Sequence, residues 1–284
     1  MTQPSNEELK QREYNNWSSA AEGWRRRDAL LRKGATPVTE RMLALCNLSS
    51  GGHLLDIASG TGEPSISAAK IVGNSGKVVG TDLSEAMLIV AQEKADENKL
   101  ENIEYFCLDA ESLEYPPASF DAVTIRWGLM FMPEPVNCLI GARKALKERG
   151  RISLACWAAP QDNPFVGVLM QPLSRYMEVP KPPPGTPGIF AMADAEYLQS
   201  TVKAAGFKNI KIEELVIDVV TVSDGLAYWE TMSDLAAPVM ALVKQLDEES
   251  RLKYIDEVIE LAETYRQNDS LSMKGTTWIV SAEK

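Results

Sequence analysis

A short apolar segment that runs into a glycine-rich turn offers the first chemistry in this sequence. Residues 54–64 read LeuLeuAspIleAlaSerGlyThrGlyGluPro, so Asp56 lies near the end of the apolar segment and Gly60 and Gly62 follow in the turn. Glycine lets the backbone approach a ligand closely, and a helix that begins after such a turn offers free amide donors. Asp56 would repel a pyrophosphate, and Ser65 stands where the dinucleotide fingerprint has its third glycine. The pattern therefore favours a ligand that brings an ammonium group.

Two further acidic residues follow the next apolar segments. Asp82 ends the second segment, at about the distance beyond the glycines where a carboxylate accepts hydrogen bonds from a ribose diol. The alternative is a carboxylate that stabilises a helix dipole, although Ser84 can cap that helix instead. Asp109, followed by Ala110, ends the third segment and can accept a hydrogen bond from a purine amine; the alternative is a solvated loop residue. The acidic residues at the ends of these three segments together predict a pocket for an adenosine with an amino-acid-like tail and no phosphate.

The elements that must position these residues alternate between strand and helix. We predict strands at 53–58, 77–82, 103–109, 120–127 and 151–157, separated by helical segments that include 64–72, 84–97 and 136–146. Strands joined by helical crossovers form a parallel, doubly wound sheet. Such sheets bind ligands at the carboxyl ends of their strands. The predicted fold class is therefore α/β, with a Rossmann-like, mostly parallel sheet.

The remaining segments are predicted to complete the sheet and to cover it. Helices are expected at 7–33, 38–46, 162–178, 193–205 and within 224–267, and a proline-rich loop at 179–188. The extended segments 209–220 and 271–282 are expected to pair as an antiparallel edge, which gives seven strands with an antiparallel last strand. We therefore divide the chain into an N-terminal lid (1–48), a core (49–160, 193–222 and 270–284) and substrate-cap segments (161–192 and 223–269).

Charge and composition argue against several classes of partner. The net charge is −11, and the densest basic cluster, around Arg25–Arg27, is interpreted as a solvated helix face, so neither nucleic acid nor a membrane surface is expected as a partner. No apolar run reaches the ~20 residues of a membrane span. The N-terminus lacks the apolar region of a signal peptide, and we expect a cytoplasmic protein.

No metal site is predicted. His53 is the one histidine, and the four cysteines lack the spacing of metal ligands. The cysteines are expected to be reduced and structural; they are Cys46, Cys107, Cys138 and Cys156.

Residues 50–157 resemble the core of the class I S-adenosylmethionine-dependent methyltransferases. The likeness is to the ubiquinone/menaquinone-biosynthesis type and to related enzymes that methylate polyketides and other natural products. The matching motifs are LeuAspIleAlaSerGlyThrGly (55–62), GlyThrAspLeuSerGluAlaMetLeu (80–88), LeuAspAla (108–110), PheAspAlaVal (120–123) and ArgTrpGlyLeuMetPheMetProGluPro (126–135). The chain departs from the family at Arg149-Gly150, where a Gly-Gly pair is frequent, and this departure affects a turn.

The resemblance implies S-adenosylmethionine as the cofactor, S-adenosylhomocysteine as the product, and a role for each matched residue. Around the methionine moiety it implies Asp56, Ala58, Gly60, Thr61 and Gly62. It implies that Asp82 binds the ribose, and that Asp109, Ala110, Leu83 and Met87 lie at the adenine. It also implies that Arg126 and Trp127 lie near the reactive sulfonium.

Methyl transfer mainly requires two reactants held close and aligned with water excluded. We find no convincing general base. The candidates for a catalytic side chain are Arg126 and Glu63; Asp162, after the fifth strand, could also help, but like Glu63 it is better interpreted as a cap or a solvated carboxylate. ArgTrpGlyLeu stands where base-methylating enzymes carry an Asn/Asp-Pro-Pro-Tyr/Phe run. We therefore expect a small apolar or aromatic acceptor, such as a phenol, enol, quinone or polyketide, methylated on oxygen or carbon. The residues expected to line the substrate chamber or the lid are Tyr14, Trp17, Trp24, Met130, Phe131, Phe165, Met170 and Trp229.

Other functions remain compatible with these residues. The same fold could support a reaction of the bound cofactor other than methyl transfer, or the chain could be a non-catalytic partner subunit. A nicotinamide oxidoreductase is disfavoured by Ser65 and Asp56. The chain is expected to act as a monomer or a homodimer.

Overall fold

The strands form one mixed sheet. The structure, a computed structural model, describes residues 4–179 and 186–284. Its strands are β1 (His53–Ile57), β2 (Lys77–Asp82), β3 (Ile103–Cys107), β4 (Phe120–Arg126), β5 (Leu146–Trp157), β6 (Lys208–Val222), β7 (Arg266–Gln267) and β8 (Ser270–Glu283). They lie in the order β3-β2-β1-β4-β5-β8-β6, and β7 pairs with β8. β1 to β5 pair in parallel and β8 runs antiparallel between β5 and β6. The predicted fold class is confirmed, with the two-residue β7 as an addition.

Helices cover both faces of this sheet. They are α1 (Asn6–Arg26), α2 (Asp28–Leu45), α3 (Ser65–Val72), α4 (Glu85–Glu97), α5 (Pro135–Ala145), α6 (Pro164–Leu173), α7 (Ala195–Ala204), α8 (Gly225–Leu235), α9 (Ala237–Val243) and α10 (Glu248–Glu263). On β1, Leu54 packs with residues of α3 in one apolar cluster, whereas Leu55 and Ile57 belong to a second and larger cluster. Because successive strand residues point to opposite faces, the two clusters are the cores of the two sides.

The N-terminal helices divide at a different residue from the predicted one. α1 begins with a capping box between Ser5 and Glu8 and ends at Arg26, and α2 begins at Asp28, whereas helices over 7–33 and from Val38 were predicted. Pro37 lies inside α2 and does not open it. The face of α2 that carries Val38 and Met42 is fully buried, and this packing stabilises a helix that the proline alone would interrupt.

The cap segments are more broken than predicted. α6 spans Pro164–Leu173 within the predicted helix 162–178, and the predicted helical stretch 224–267 consists of α8, α9 and α10, followed by β7. Pro238 lies in the first turn of α9 and accounts for the break after α8. The predicted loop 179–188 lies mostly outside the described residues. The division into lid, core and caps stays a prediction.

Two smaller predictions concern β5 and the cysteines. β5 begins at Leu146, five residues before the predicted strand 151–157, because Leu146 pairs with Phe120 across an irregularity in the β4–β5 ladder. All four cysteines are free, but Cys107 is exposed, since it ends the edge strand β3 and has no neighbouring strand on its outer side. The structural role of this thiol stays a prediction. None of the described helices is long and apolar enough to cross a membrane.

Asn163 joins the first cap segment to the last strand of the core. It is fully buried, and its amide nitrogen donates to the carbonyl oxygens of Ala158 (3.2 Å), Ala159 (3.0 Å) and Thr276 (3.1 Å). Its side-chain oxygen accepts from the Thr276 amide at 3.1 Å.

We expect Asn163→Ala to lower the free energy of unfolding by about 2–3 kcal/mol, because it leaves buried backbone groups without partners. Urea unfolding measures the change. The control is Asn137→Ala at an exposed site on α5, for which we expect a change of less than about 0.5 kcal/mol. If both substitutions lowered the free energy of unfolding equally, the buried hydrogen bonds of Asn163 would not be what stabilises this junction.

Candidate active site

The turn after β1 has an open face. Ala58, Gly60 and Gly62 have positive φ values of 55°, 51° and 102°. A Cβ added at Gly60 would meet no atom within 4 Å, whereas one at Gly62 would lie 2.9 Å from Ile66 Cδ1. Gly62 is therefore required by packing and by its backbone conformation, and Gly60 leaves room for a ligand to approach the backbone.

Asp56 braces this turn from inside the protein. It is fully buried, and its Oδ2 accepts hydrogen bonds from the Ser65 amide (3.0 Å) and the Ser65 hydroxyl (2.5 Å), while its Oδ1 accepts from the Thr124 hydroxyl (2.8 Å). Burial raises the pKa of Asp56 to about 6, although the hydrogen bonds from Ser65 and Thr124 act in the opposite direction. Both oxygens are engaged within the protein, so a contact between Asp56 and a ligand ammonium stays a prediction.

Asp82 connects the glycine turn to the second turn. Its Oδ2 accepts a hydrogen bond from the Gly60 amide and its Oδ1 accepts one from the Ser84 amide, both at 2.9 Å. Burial raises the pKa of Asp82, against the effect of these backbone donors. Each carboxylate oxygen has a second lone pair, so this arrangement leaves acceptors for a ribose diol. Ser84 caps α4, as expected, by accepting from the Met87 amide at 3.3 Å.

Asp109, which is predicted to lie at the adenine, forms an ion pair with the N-terminal helix. Asp109 accepts from the Glu111 amide (2.9 Å), and its other oxygen pairs with Lys10 Nζ (2.7 Å), which also pairs with Glu111 at 2.6 Å. Leu83 and Ala110 are half-buried. Met87 is buried against Ala20 and Ala21 of α1, so its side chain faces that helix. The adenine contacts of these residues stay predictions.

The residues that follow β4 pack against the glycine turn. Trp127 has a positive φ of 56°, and a Cβ added at Gly128 would lie 2.4 Å from the Cβ of Ala58. Strained backbone of this kind costs about 1–3 kcal/mol per residue and is found where the surroundings fix a functional geometry. The turns after β1 and β4 thus support each other in the left-handed conformation.

The two candidate catalytic side chains have other tasks. Arg126 Nη1 donates to the Thr39 hydroxyl at 2.7 Å, and the guanidinium carbon lies 5.3 Å from the centre of the Trp127 ring. Burial lowers the pKa of Arg126, and Glu63 and Asp56 oppose that effect. A guanidinium has no acceptor for a proton, so Arg126 is better suited to hold a carboxylate. Glu63 accepts from the Ser67 amide at 3.3 Å in the first turn of α3.

Aromatic rings form a wall at the ends of β4 and β5. Trp127 stacks on Trp157, with the ring centres 4.5 Å apart and the planes at 10°, and Trp157 lies 5.0 Å from Phe165. Trp127 Nε1 donates to the Thr277 hydroxyl at 3.1 Å. Sequence reasoning missed Trp157 and Thr277. Trp157 ends a parallel strand, as Arg126 does, and the rule that placed the other site residues also applied to it.

The predicted substrate residues divide into two sets. Trp17 packs edge-on against Phe131 (5.0 Å) and Trp24 (5.8 Å), close to the end of β4, and Phe165 joins the aromatic wall. The others lie elsewhere: Tyr14 is 38% exposed, Met130 is buried in the core, Met170 is half-buried against that core, and Trp229 packs on Tyr254 within the cap.

Helix α1 lies across this end of the sheet. Ser18 and Ser84 share a hydrogen bond of 2.9 Å, and Asn6 Nδ2 donates to Glu134 at 2.9 Å. At the other end of α1, Arg26 and Arg27 pair with Asp234 of α8 at 2.6 and 2.7 Å. The helix therefore joins the turns of the core to the cap, which is the position expected of a lid.

The comparisons with known proteins agree with this geometry. The model of the "ubiE/COQ5 methyltransferase family" matches residues 38–178. The ubiquinone/menaquinone biosynthesis C-methyltransferase UbiE of Francisella philomiragia is 27% identical over 205 residues, which are 66% of this chain and 80% of the relative. The demethylmenaquinone methyltransferase of Lactococcus lactis is 34% identical over 167 residues, or 58% of this chain and 64% of the relative.

Solved structures share the fold at lower identity. The [4+2]-cyclase SpnF has a TM-score of 0.54 and 23% identity, with 88% of this chain and 80% of that chain covered. The phosphoethanolamine N-methyltransferase 2 of Haemonchus contortus, solved with S-adenosylhomocysteine, has a TM-score of 0.59 and 18% identity, with 99% and 60% covered.

The chain is an S-adenosylmethionine-dependent methyltransferase with a Rossmann-like fold, as predicted. Within that class, its match is to the ubiE/COQ5 family over the core that carries Asp56 and Asp82. S-adenosylmethionine is its cofactor, as predicted. The open face at Gly60 and the free lone pairs of Asp82 fit this molecule. The individual cofactor contacts stay predictions.

We expect Asp82→Ala to weaken the binding of S-adenosylhomocysteine at least about tenfold, because a charged acceptor of hydrogen bonds is lost. Titration calorimetry of the purified protein measures the affinity, with NADH as a ligand that should not bind. Asp96→Ala, at an exposed position of the neighbouring helix α4, is the matched control. A similar affinity for both variants would remove Asp82 from the cofactor site.

The pKa of Asp56 leads to a pH-dependent stability. Because folding raises this pKa from its ordinary 3.8 to about 6, the stabilisation from Asp56 is fully present below about pH 4 and is lost as the pH rises through 6. Asp56→Asn keeps the shape and can still bond to Ser65 and Thr124. Relative to this variant, we expect the wild type to lose about 2 kcal/mol between about pH 4 and pH 7. Urea unfolding at both pH values tests this, and a constant difference would show that Asp56 has an ordinary pKa.

Proposed function

We propose that this protein transfers a methyl group to a carbon atom of a small aromatic, hydroxyl-bearing acceptor of the quinone or polyketide type. The observation that carries the proposal is the aromatic wall of Trp127, Trp157 and Phe165, at the strand end next to the glycine turn. Both the acceptor class and the choice of carbon go beyond the assigned class of enzyme.

The wall is suited to a flat ring. The rings of Trp127 and Trp157 are nearly parallel, and the Trp127 indole is fixed by its hydrogen bond to Thr277. Aromatic ligands gain from offset stacking and edge contacts on such surfaces. Trp17 and Phe131 add a second pair of rings under the lid helix.

The chain contributes alignment and the exclusion of water. The bound cofactor supplies a methyl group already activated by its sulfonium. The turns of Gly60 and Asp82 hold the cofactor, the aromatic wall orients the acceptor beside it, and α1 covers both. Holding two reactants in line can supply much of the rate enhancement without a strong acid or base.

Relatives support the choice of carbon. The two similar proteins described above are named as a C-methyltransferase of ubiquinone and menaquinone biosynthesis and as a demethylmenaquinone methyltransferase. We extend to this protein the methylation of a quinone-type ring that the names of these relatives describe.

Incubation with S-adenosylmethionine and a panel of acceptors tests the proposal. The panel contains hydroquinones, catechols and naphthols under anaerobic conditions, and phosphoethanolamine as the amine alternative. We expect S-adenosylhomocysteine to form with an aromatic acceptor, and NMR to place the new methyl on a ring carbon. Methylation of the amine alone, or acceptor conversion without S-adenosylhomocysteine, would contradict the proposal.

We expect Trp127→Leu to raise the KM for the aromatic acceptor about tenfold and to leave the affinity for S-adenosylhomocysteine within about twofold, because a stacking surface is lost. Steady-state kinetics and calorimetry measure the two quantities. The control is Trp278→Leu on the opposite face of β8, where the indole donates to the Ala193 carbonyl. If Trp278→Leu raised KM as much as Trp127→Leu, the wall would not be the acceptor site.

A further inference from the structure

The inner face of the lid helix carries a buried carboxylate. Glu13 is 5% exposed, although most charged side chains of α1 point to solvent. Leu9 and Trp17 lie one turn away on either side of it, and Lys10 lies three residues before it. Side chains at these spacings share one face of a helix. Glu13 therefore lies at the centre of the face that α1 turns toward the core.

Contacts on both sides fix where this face lies. Lys10 pairs with Asp109 after β3, and the Trp17 ring packs against Phe131 after β4. Glu13 lies between these two contacts along the helix. Glu13 therefore lies one helical turn from Trp17, whose ring packs against Phe131, and three residues from Lys10, which pairs with Asp109.

Only one of the two carboxylate oxygens of Glu13 has a hydrogen-bond partner among the described residues. Its Oε1 pairs with Arg12 at 3.2 Å, and Arg12 itself is about half exposed. Its Oε2 is buried and has no hydrogen-bond partner among the described residues. Burial raises the pKa of Glu13, against the effect of Arg12 and Asn16. A buried oxygen of this kind is costly unless a donor reaches it, and a hydroxyl of a bound ligand is such a donor.

We propose that Glu13 is a catalytic residue, which accepts a hydrogen bond and then the proton from the hydroxyl group of the methyl acceptor. This inference rests on the proposed function, since it requires an acceptor with a hydroxyl on its ring. It assigns a general base to a site where Arg126 has no acceptor and Glu63 is engaged by the helix α3. It also selects the reduced, hydroxyl-bearing form of a quinone as the substrate.

The step balances without a further reagent. Glu13 takes the hydroxyl proton as the ring carbon forms its bond to the methyl group, and the carbon–sulfur bond breaks with its electron pair left on sulfur. The ring carbon then loses its hydrogen to water as a proton, and Glu13 returns its proton to the oxygen. The net change is one methylated ring, S-adenosylhomocysteine and one released proton. General-base catalysis of this kind contributes about 10²- to 10⁴-fold in rate.

A pair of ligands that differ only in the hydroxyl tests this role without turnover. The protein, saturated with S-adenosylhomocysteine, is titrated with 1-naphthol and with naphthalene, and tryptophan fluorescence reports binding. We expect the wild type to bind 1-naphthol about tenfold more tightly, because the hydroxyl donates to a charged acceptor. Glu13→Met should abolish this preference. Glu22→Gln, on the exposed side of α1, should keep it.

Turnover separates binding from proton transfer. Glu13→Gln keeps an oxygen that can accept a hydrogen bond but cannot take the proton at neutral pH. We expect its kcat to fall about 100-fold with the acceptor found in the panel, and Glu22→Gln to turn over as the wild type does. A kcat of Glu13→Gln within about threefold of the wild type would overturn the catalytic role.

The outcomes distinguish this inference from the proposed function. If the wild type binds both probes equally well, the aromatic site stands and the role of Glu13 is wrong. If neither probe binds to the complex with S-adenosylhomocysteine, the aromatic acceptor site itself is refuted, together with this role for Glu13.

Discussion

The buried carboxylate of Asp56 is the contact on which the active end of this molecule depends. It ties the start of α3 to β4 through Ser65 and Thr124, and so fixes the glycine turn between them. Asp82 repeats the arrangement one strand away, where its two oxygens hold the Gly60 and Ser84 amides. These two acidic side chains set the backbone of the predicted cofactor site. Their cost in desolvation, seen in the raised pKa of each, is offset by the order that they impose.

The strained backbone at the ends of β1 and β4 follows from this constraint. Ala58 and Trp127 both adopt positive φ, and Gly128 must lack a Cβ because Ala58 occupies the space. This conformation directs the Trp127 indole onto Trp157 and lets it reach Thr277. The glycine turn and the end of β4 that carries Trp127 are therefore positioned by the same close contact between Ala58 and Gly128.

The core could be predicted from the sequence because its signals are local. Short apolar segments, each ending in an acidic residue, define strands whose carboxyl ends must meet, and this logic found Asp56, Asp82 and Asp109. The helix over Asp28–Leu45 could not be predicted, because the packing of Val38 and Met42 outweighs the break that Pro37 signals. Glu13 was missed for a related reason. A glutamate in a charged N-terminal helix gives no sign of burial until the contacts of Lys10 and Trp17 fix which face turns inward.

Hydrogen exchange with S-adenosylhomocysteine tests the central claim most directly, namely that the cofactor lies at the ends of β1 to β4 beneath α1. Mass spectrometry of the full chain compares exchange with and without the ligand. We expect slower exchange in the turn 58–65, in residues 82–87 and along α1, because ligand contacts and lid closure protect these amides. Protection confined to the opposite end of the sheet, around the cleft lined by residues 46–52 and 147–151, with no change in these three segments, would contradict the account.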